Sequence, residues 1–324
     1  MTVGTDEAFT TSVGDLLTQI EERLMSVAVA DNPFVTEAAR HVISAGGKRF
    51  RPAMVVSCAH LGAGFDTQAL IRAALVVELT HVASLYHDDV MDEATVRRGA
   101  PSANCAYGNS IAILVGDYLF ARASSEVARL GVDYVDLQAR TFADLVTGQI
   151  AETVGPAAGE DVMAHYLQVL SGKTASLIRT SALFGGMVAE LPQTELDALG
   201  RFGHEIGMVF QLSDDLIDVI GDQTGKTPGT DLREGVATLP TLLLRASTNA
   251  ADRDLVARID AGLDSDADLA AALAALRHSP VIEQARQQIS RRAEIARGYL
   301  WPLPDGPARR ALARLCDEVV TRSN

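Results

Sequence analysis

The sequence is poor in aromatic residues and in cysteine. Aromatic residues make up 5% of its 324 positions, and tryptophan occurs once. Alanine and leucine dominate the apolar positions, a composition that favours helices over strands. The three cysteines (Cys58, Cys105 and Cys316) lie far apart without a CxxC spacing, which argues against a disulfide framework or a zinc site. We therefore expect buried thiols in a reducing cytoplasm.

Basic charge and long apolar runs are also scarce. The chain has 28 Lys and Arg against 42 Asp and Glu, giving a formal net charge of −14. A general nucleic-acid-binding protein needs a basic face, so this class is disfavoured. The polar, acidic N-terminus does not resemble a secretory signal, and no uninterrupted apolar run reaches the roughly 18–20 residues that span a membrane. We expect a cytoplasmic protein without a transmembrane segment.

Helical apolar patterns follow one another along the chain. The clearest segments are 12–29, 68–94, 110–130, 137–153 and 194–220. A helix that is apolar nearly all round is buried in a large core. Glycine- or proline-containing breaks occur near 46–52, 97–109, 154–159, 221–235 and 300–308, and helical patterns resume after each. The sequence therefore predicts an all-α fold with a single domain over 1–324.

Two aspartate clusters end apolar helices. They are Asp88, Asp89 and Asp92 in SLYHDDVMDEA, and Asp214, Asp215 and Asp218 in FQLSDDLIDVIGD. Carboxylates at a helix C-terminus face the negative end of the helix dipole, and like charges one turn apart repel. A solvated helix end explains one cluster, but two matching clusters favour divalent cations. Mg²⁺ usually bridges one or two carboxylates to substrate phosphates, so we expect all six aspartates to hold Mg²⁺ and a phosphate-bearing ligand across a helix-bundle cavity.

Cationic side chains gather near the breaks in the helical pattern. They are Lys48, Arg49 and Arg51 in GGKRFRP, Arg97 and Arg98 before Gly99, Lys173 after Gly172, and Lys226 in the glycine-rich segment after the second cluster. Free N–H groups at a helix start favour anions. Any one of these cations is more often a surface charge, but together they indicate a diphosphate site with two sub-pockets. His81 lies seven residues before Asp88 on the same helix face, although a lone histidine there is more often a core residue.

In this order, the motifs GGKRFRP, HDDVMDEATVRRG, GKT, FQLSDDLID, GKTPGTDLREG and TLP resemble those of the trans-isoprenyl diphosphate synthases. The resemblance covers about 40–320. It implies an isoprenoid-synthase helical bundle around a central apolar cavity, usually as a homodimer. It also implies Mg²⁺-dependent condensation of an allylic diphosphate with isopentenyl diphosphate (IPP).

The resemblance also implies a role for each matching residue. The IPP-binding residues are Lys48, Arg51, His81 and Arg98. The residues for the allylic diphosphate are Arg97, Lys173, Thr174, Gln211 and Lys226. The Mg²⁺ ligands, for three ions per active site, are Asp88, Asp92, Asp214 and Asp218. The catalytic set is Asp88, Asp92, Lys173, Asp214 and Lys226. One departure is Val236, which stands in the segment before TLP where many members have lysine, and this puts one allylic contact in question.

Product length is expected to depend on the helix that carries the first cluster. The floor of the tunnel for the growing chain is expected one to two turns before Asp88, at Thr80, Ala83 and Ser84. Tyr86 is closer to Asp88 in sequence but is rotated about 160° from the Asp88 face of the helix. Because these three side chains are small, we predict a medium- or long-chain polyprenyl product.

Two other functions remain open, namely a short-chain farnesyl or geranylgeranyl diphosphate synthase and a non-catalytic regulatory subunit of a heteromeric synthase. A class I terpene cyclase or a head-to-head synthase is disfavoured by the complete second DDxxD and by GGKRFRP.

Overall fold

The computed structural model describes residues 2–221, 229–263 and 265–321. The first helices are α1 (Thr2–Val27), α2 (Pro33–Ser44), α3 (Phe50–Ala59), α4 (Thr67–Met91), α5 (Ala103–Tyr107) and α6 (Asn109–Val127). The next are α7 (Val132–Val154), α8 (Val162–Leu170), α9 (Ser176–Val188) and α10 (Gln193–Ile220), with a π-helical turn at Ser171–Ala175. The last are α11 (Thr230–Glu234), α12 (Leu239–Ala246), α13 (Ala250–Asp260), α14 (Asp266–His278), α15 (Pro280–Tyr299) and α16 (Pro307–Thr321). The predicted all-α fold is confirmed.

Local sequence signals set several helix starts. Asn32 and Asp66 cap α2 and α4, accepting hydrogen bonds from the backbone N–H groups of Phe34 (2.9 Å) and Ala69 (2.6 Å). α6 begins at Asn109 behind Gly108, without a side-chain cap.

The predicted loop at 97–109 contains more order than expected. Strands β1 (Val96–Arg97) and β2 (Ala100–Pro101) pair in an antiparallel hairpin, which is followed by α5. Arg98 and Gly99 form its two-residue turn with φ of 54° and 79°. Positive φ at both central residues matches the turn type that suits the strand twist of a tight hairpin. The side chains of Arg97 and Arg98 are therefore held by a defined turn.

The helices are organised into two compact units. The first comprises the residues up to Ala143, Leu177–Gly203 and Pro302–Ala311. Within it, α4 packs against α1, α3 and α6 and contributes many fully buried residues, such as Leu75 and Leu79. The second comprises Asp144–Ser176, His204–Trp301 and the residues from Leu312 onward, and within it α12 packs against α13 and α15. The single domain expected from the sequence stays a prediction.

α4 is the helix of the described ranges that is long and apolar enough, by length and composition alone, to cross a membrane. Its most apolar 18-residue window is 72% buried inside the protein, as in the core helix of a folded domain. The three cysteines are free thiols. Cys58 and Cys316 are buried as expected, but Cys105 is exposed because it lies on the short helix α5 at the surface.

Candidate active site

The aspartates of the first cluster have different surroundings. Asp88 is partly exposed in the last turn of α4 and Asp92 is exposed at its C-cap, where the Asp92 N–H donates to the Asp88 carbonyl (2.8 Å). Asp89 is fully buried, and its carboxylate accepts hydrogen bonds from Arg97 Nε (2.6 Å) and the Ala103 N–H (3.3 Å). Asp89 thus anchors the 96–101 hairpin and the start of α5, while Asp88 and Asp92 lie where a ligand can reach them.

Close packing of α4 against α6 fixes the helix turn that carries Asp88. The His87 ring donates from Nε2 to the Ile113 carbonyl (3.1 Å) and packs edge-to-face against Phe120. A Cβ atom on Gly116 would lie 2.4 Å from His87 Nε2, so only glycine permits this approach. The helix end therefore has a fixed rotation.

A cluster of positive charge occupies the same unit. Arg51 is partly buried, and its Nε atom is buried without a hydrogen-bond partner in the described part of the chain. Burial lowers the pKa of Arg51 to about 10; the negative charge of Glu78 opposes this shift, and the charge of Arg98 adds a smaller lowering effect. Burial, followed by the charges of Arg51 and Arg98, holds the pKa of His81 well below its usual range, so its ring is neutral near pH 7. An unpaired buried donor beside a second guanidinium is the arrangement that an anionic ligand stabilises.

The conformation of the hairpin turn orients Arg98. Its guanidinium donates from Nη1 to the carbonyl oxygens of Val42 (3.2 Å) and Gly46. Gly47 leaves room for it, because a Cβ there would lie 3.0 Å from Arg98 Cζ. The predicted IPP-binding residues Arg51, His81 and Arg98 are thus brought together, and Lys48 is exposed in the adjoining loop.

Arg49 differs from its neighbour Arg51 because it is already neutralised. Its guanidinium forms ion pairs with Glu21 (2.6 Å) and the buried Glu78 (2.9 Å), and it donates to the Ile43 carbonyl (3.0 Å). The sequence pattern did not identify either glutamate, since both lie on helices far from GGKRFRP in the chain. These pairs make Arg49 a structural residue, whereas Arg51 keeps its charge for a ligand.

The predicted chain-length residues lie on the buried part of α4. Thr80 and Ala83 are fully buried, and Ser84 is partly buried. Thr80 Oγ1 accepts a hydrogen bond from Gln138 Nε2 (2.7 Å) on α7, a neighbour that the sequence did not suggest. The Tyr86 hydroxyl is directed elsewhere, accepting from the Val42 N–H (3.2 Å) on α2, in agreement with the rotation calculated from the helix period.

The second aspartate cluster lies in the second unit, and its middle aspartate is again more buried than the other two. Asp214 and Asp218 are partly buried, whereas Asp215 is buried and accepts hydrogen bonds from the Tyr166 hydroxyl and from Gln211 Nε2 (3.1 Å). Burial raises the pKa of Asp215 to about 6, against the lowering effect of these two hydrogen bonds. The middle aspartate of each DDxxD motif is therefore bound by protein groups.

The predicted residues for the allylic diphosphate have close partners. Gln211 Oε1 accepts from the Thr174 hydroxyl (3.1 Å), and Lys173 forms an ion pair with Glu152 (2.5 Å). Thr174 and Lys173 lie in the π-helical turn, a feature frequently found at functional sites. Gly148 permits this turn to approach α7, because a Cβ there would lie 2.5 Å from the Lys173 nitrogen.

The predictions for the allylic diphosphate also involve Arg97, Lys226 and the position of Val236. Arg97, predicted to bind the allylic diphosphate, is paired with Asp89. Lys226 lies outside the described residues. Val236 is 42% exposed, and its N–H donates to the Asp231 carbonyl (2.9 Å).

The carboxylates fit Mg²⁺ by their chemistry. Within the described residues, no three His, Cys, Asp or Glu side chains converge to form a complete metal cage. Each cluster instead offers a first and a last aspartate one helical turn apart. Mg²⁺ characteristically uses one or two carboxylates and completes its octahedron with water and substrate phosphate oxygens. Asp88 with Asp92, and Asp214 with Asp218, are the residues that would hold it.

The family model described as polyprenyl synthetase matches residues 32–276. The chain belongs to the polyprenyl synthetase family. It is therefore a prenyltransferase, as the motifs predicted. The matched residues include both aspartate clusters, GGKRFRP and the GKT segment, so every site residue predicted from the sequence lies within the family region.

Similar proteins cover nearly the whole chain. A nonaprenyl diphosphate synthase of Mycobacterium tuberculosis is 43% identical, and the match covers 98% of this chain and 95% of the relative. A dimethylallyltranstransferase of the same organism is 37% identical over 98% and 97%. The heptaprenyl diphosphate synthase component 2 of Geobacillus stearothermophilus is 35% identical over 94% of each chain.

Solved structures agree with this assignment. A decaprenyl diphosphate synthase from Rhodobacter capsulatus has a TM-score of 0.89 and 31% identity, covering 98% of this chain and 99% of its own. A geranylgeranyl pyrophosphate synthase from Corynebacterium glutamicum, complexed with calcium and isoprenyl diphosphate, has a TM-score of 0.88 and 39% identity, covering 97% of each.

Proposed function

We propose that this chain is a Mg²⁺-dependent trans-prenyltransferase that condenses an allylic diphosphate with IPP and makes a medium- or long-chain all-trans polyprenyl diphosphate. The carbon–oxygen bond of the allylic diphosphate breaks, and diphosphate leaves with the electron pair. The double bond of IPP attacks the allylic cation, a carbon–carbon bond forms, and a proton passes to a base, for which the departing diphosphate is suitable. The single observation that carries the proposal is that one unit holds both the ligand-accessible Asp88 and Asp92 and the partly buried Arg51, whose Nε lacks a hydrogen-bond partner in the described part of the chain.

The side chains of this chain have separate tasks in that reaction. Arg51, Arg98, His81 and Lys48 bind the diphosphate of IPP. Lys173, Thr174 and Gln211 bind the allylic diphosphate, and the same role is proposed for Arg97 and Lys226. When bound, Mg²⁺ would stabilise the charge that develops on the departing diphosphate. The apolar helices exclude water, which would otherwise trap the cation.

Product length is proposed to depend on the residues one to two turns before Asp88 on α4. Ala83 lies five residues before Asp88, about 8 Å along α4. Replacing it with phenylalanine (Ala83→Phe) is expected to shorten the product, because the ring would block the path of the growing chain. Thin-layer analysis of products made with radiolabelled IPP measures the change.

A second variant, Ser84→Phe, keeps the prediction testable if Ala83→Phe does not fold. Ala83 is fully buried, and overpacking there costs about 1–3 kcal/mol. Ser84 is only partly buried, so Ser84→Phe is better tolerated and is expected to shorten the product as well. Unchanged product length in both folded variants would overturn the assignment of this floor.

We propose a homodimer in the cytoplasm. The support is apolar surface on α6, where the adjacent side chains Ile113 and Leu114 are 43% and 61% exposed. Contiguous exposed apolar surface marks protein–protein contacts, and we propose that α6 contributes to such a surface. Light scattering is expected to give twice the 34.4 kDa chain mass, and a single-chain mass would contradict the proposal.

The purified chain alone tests the function. With geranyl or farnesyl diphosphate, radiolabelled IPP and Mg²⁺, we expect labelled prenyl diphosphates, and their length separates a medium- or long-chain synthase from a farnesyl or geranylgeranyl synthase. A chain that is silent alone but active with a partner would favour the regulatory-subunit alternative. That alternative is worth testing because one relative is called component 2 of a heptaprenyl diphosphate synthase.

A further inference from the structure

Tyr166 on α8 is a buried residue outside the motifs that indicated the function. Its side chain is 6% exposed, and its hydroxyl donates to Asp215 Oδ2 and accepts from the Leu239 N–H (3.2 Å). Burial, followed by the charge of Asp215, raises the pKa of Tyr166 far above the physiological range. The hydroxyl therefore stays protonated and always has a proton to donate to Asp215.

The two partners of Tyr166 belong to different motifs. Asp215 is the middle aspartate of the second cluster, and Leu239 is the first residue of α12, within TLP. The other oxygen of Asp215 accepts from Gln211 Nε2 (3.1 Å), and Gln211 Oε1 accepts from the Thr174 hydroxyl (3.1 Å). One continuous series of hydrogen bonds therefore joins the π-helical turn, the last turns of α10 and the start of α12.

This series of hydrogen bonds fixes the orientation of the Gln211 and Asp215 side chains as well as their position. The amide of Gln211 donates at one end and accepts at the other, so it has one preferred orientation. Asp215 is held from both of its oxygens, which fixes the rotation of the α10 turns that carry Asp214 and Asp218. Some protein groups do not bind a metal themselves but hold its ligands in place by hydrogen bonds. Removing such a group commonly lowers metal affinity or activity about 10–100-fold.

We propose that Tyr166 is a positioning residue for the metal-binding and allylic-diphosphate residues of the second unit. It acts through Asp215 and the Leu239 N–H, and it does not touch substrate itself. The proposal deepens the proposed function and rests on it. In this role the Tyr166 hydroxyl aligns three segments, namely the π-helical turn, the last turns of α10 and the start of α12.

Replacing Tyr166 with phenylalanine (Tyr166→Phe) removes that hydroxyl and keeps the ring. We expect kcat to fall about 10- to 100-fold. The Mg²⁺ concentration for half-maximal activity and KM for the allylic diphosphate are both expected to rise severalfold. KM for IPP is expected to stay unchanged, because the predicted IPP-binding residues are not part of this hydrogen-bond series.

Tyr118→Phe is the matched control. It also removes one hydroxyl, which donates to the Val29 carbonyl (2.9 Å) in the first unit. All constants are measured below the melting temperatures of both variants, so that folded protein is compared. If Tyr166→Phe loses stability but keeps the kinetic and Mg²⁺ constants of Tyr118→Phe, the positioning role is wrong. If the wild-type chain forms no product, the proposed function fails instead.

Discussion

Replacing Asp88 with asparagine (Asp88→Asn) is expected to lower kcat for prenyl condensation about 100- to 1,000-fold, the size of effect seen when one group that stabilises transition-state charge is lost. Asparagine keeps the shape of the side chain but removes the negative charge that Mg²⁺ requires. Because Asp88 is partly exposed at the end of α4, the melting temperature should change little. Steady-state kinetics at saturating substrate and thermal unfolding measure the two quantities.

The neighbouring Asp89 provides the control for this prediction. Asp89→Asn weakens a buried ion pair with Arg97 and a hydrogen bond from the Ala103 N–H. We expect it to lower the free energy of unfolding by about 1–3 kcal/mol. Asp88→Asn should lower kcat without this loss. An Asp88→Asn enzyme with wild-type kcat would contradict the assignment of Asp88 as a metal ligand.

Arg51→Met is expected to raise KM for IPP about 10- to 100-fold, the value of one or two hydrogen bonds to a charged group. KM for the allylic diphosphate should stay unchanged. Arg51 is partly buried near Arg98, and its Nε is buried without a partner in the described structure, so an apolar side chain of similar volume should leave stability unchanged or increase it. Initial rates at varied IPP and chemical denaturation measure the two effects.

Arg49→Met, unlike Arg51→Met, is expected to lower the free energy of unfolding. Arg49 is paired with Glu21 and with the buried Glu78, and its removal leaves a buried carboxylate without its cation. Breaking a buried pair in this way costs about 3–5 kcal/mol. If Arg51→Met destabilised the protein as strongly as Arg49→Met and left KM for IPP unchanged, Arg51 would be a structural residue.

The long helices could be predicted because their apolar patterns are local. The segments 68–94 and 194–220 correspond to α4 and α10 within a few residues. The helix period also predicted that Tyr86 is rotated away from Asp88, and its hydroxyl bonds to α2. The apolar pattern within a single helix is therefore enough to predict which helix carries each aspartate motif.

The partners of the motif residues could not be predicted in the same way. The sequence treats the three aspartates of a cluster alike, whereas the fold brings Arg97 to Asp89 and Tyr166 to Asp215. Glu78, which neutralises Arg49, lies on another helix. These pairings depend on tertiary packing, which leaves no spacing signal in a single sequence.

The excess of acidic residues does not conflict with an anionic substrate. The net charge of −14 describes the whole surface, whereas the charge near Arg51 and Arg98 is positive. Bound metal ions are often the largest local charges in a site and change its preference for ligands. The affinity for diphosphate should therefore depend on local cations and on Mg²⁺.

Mg²⁺-dependent diphosphate release tests the central claim most directly. The purified chain is incubated with an allylic diphosphate and radiolabelled IPP, first with EDTA and then with excess Mg²⁺, while released diphosphate and labelled product are counted. We expect neither in EDTA, and one diphosphate released for each IPP incorporated once Mg²⁺ is restored. Incorporation that persists in EDTA, or diphosphate release without labelled prenyl product in Mg²⁺, would contradict the account.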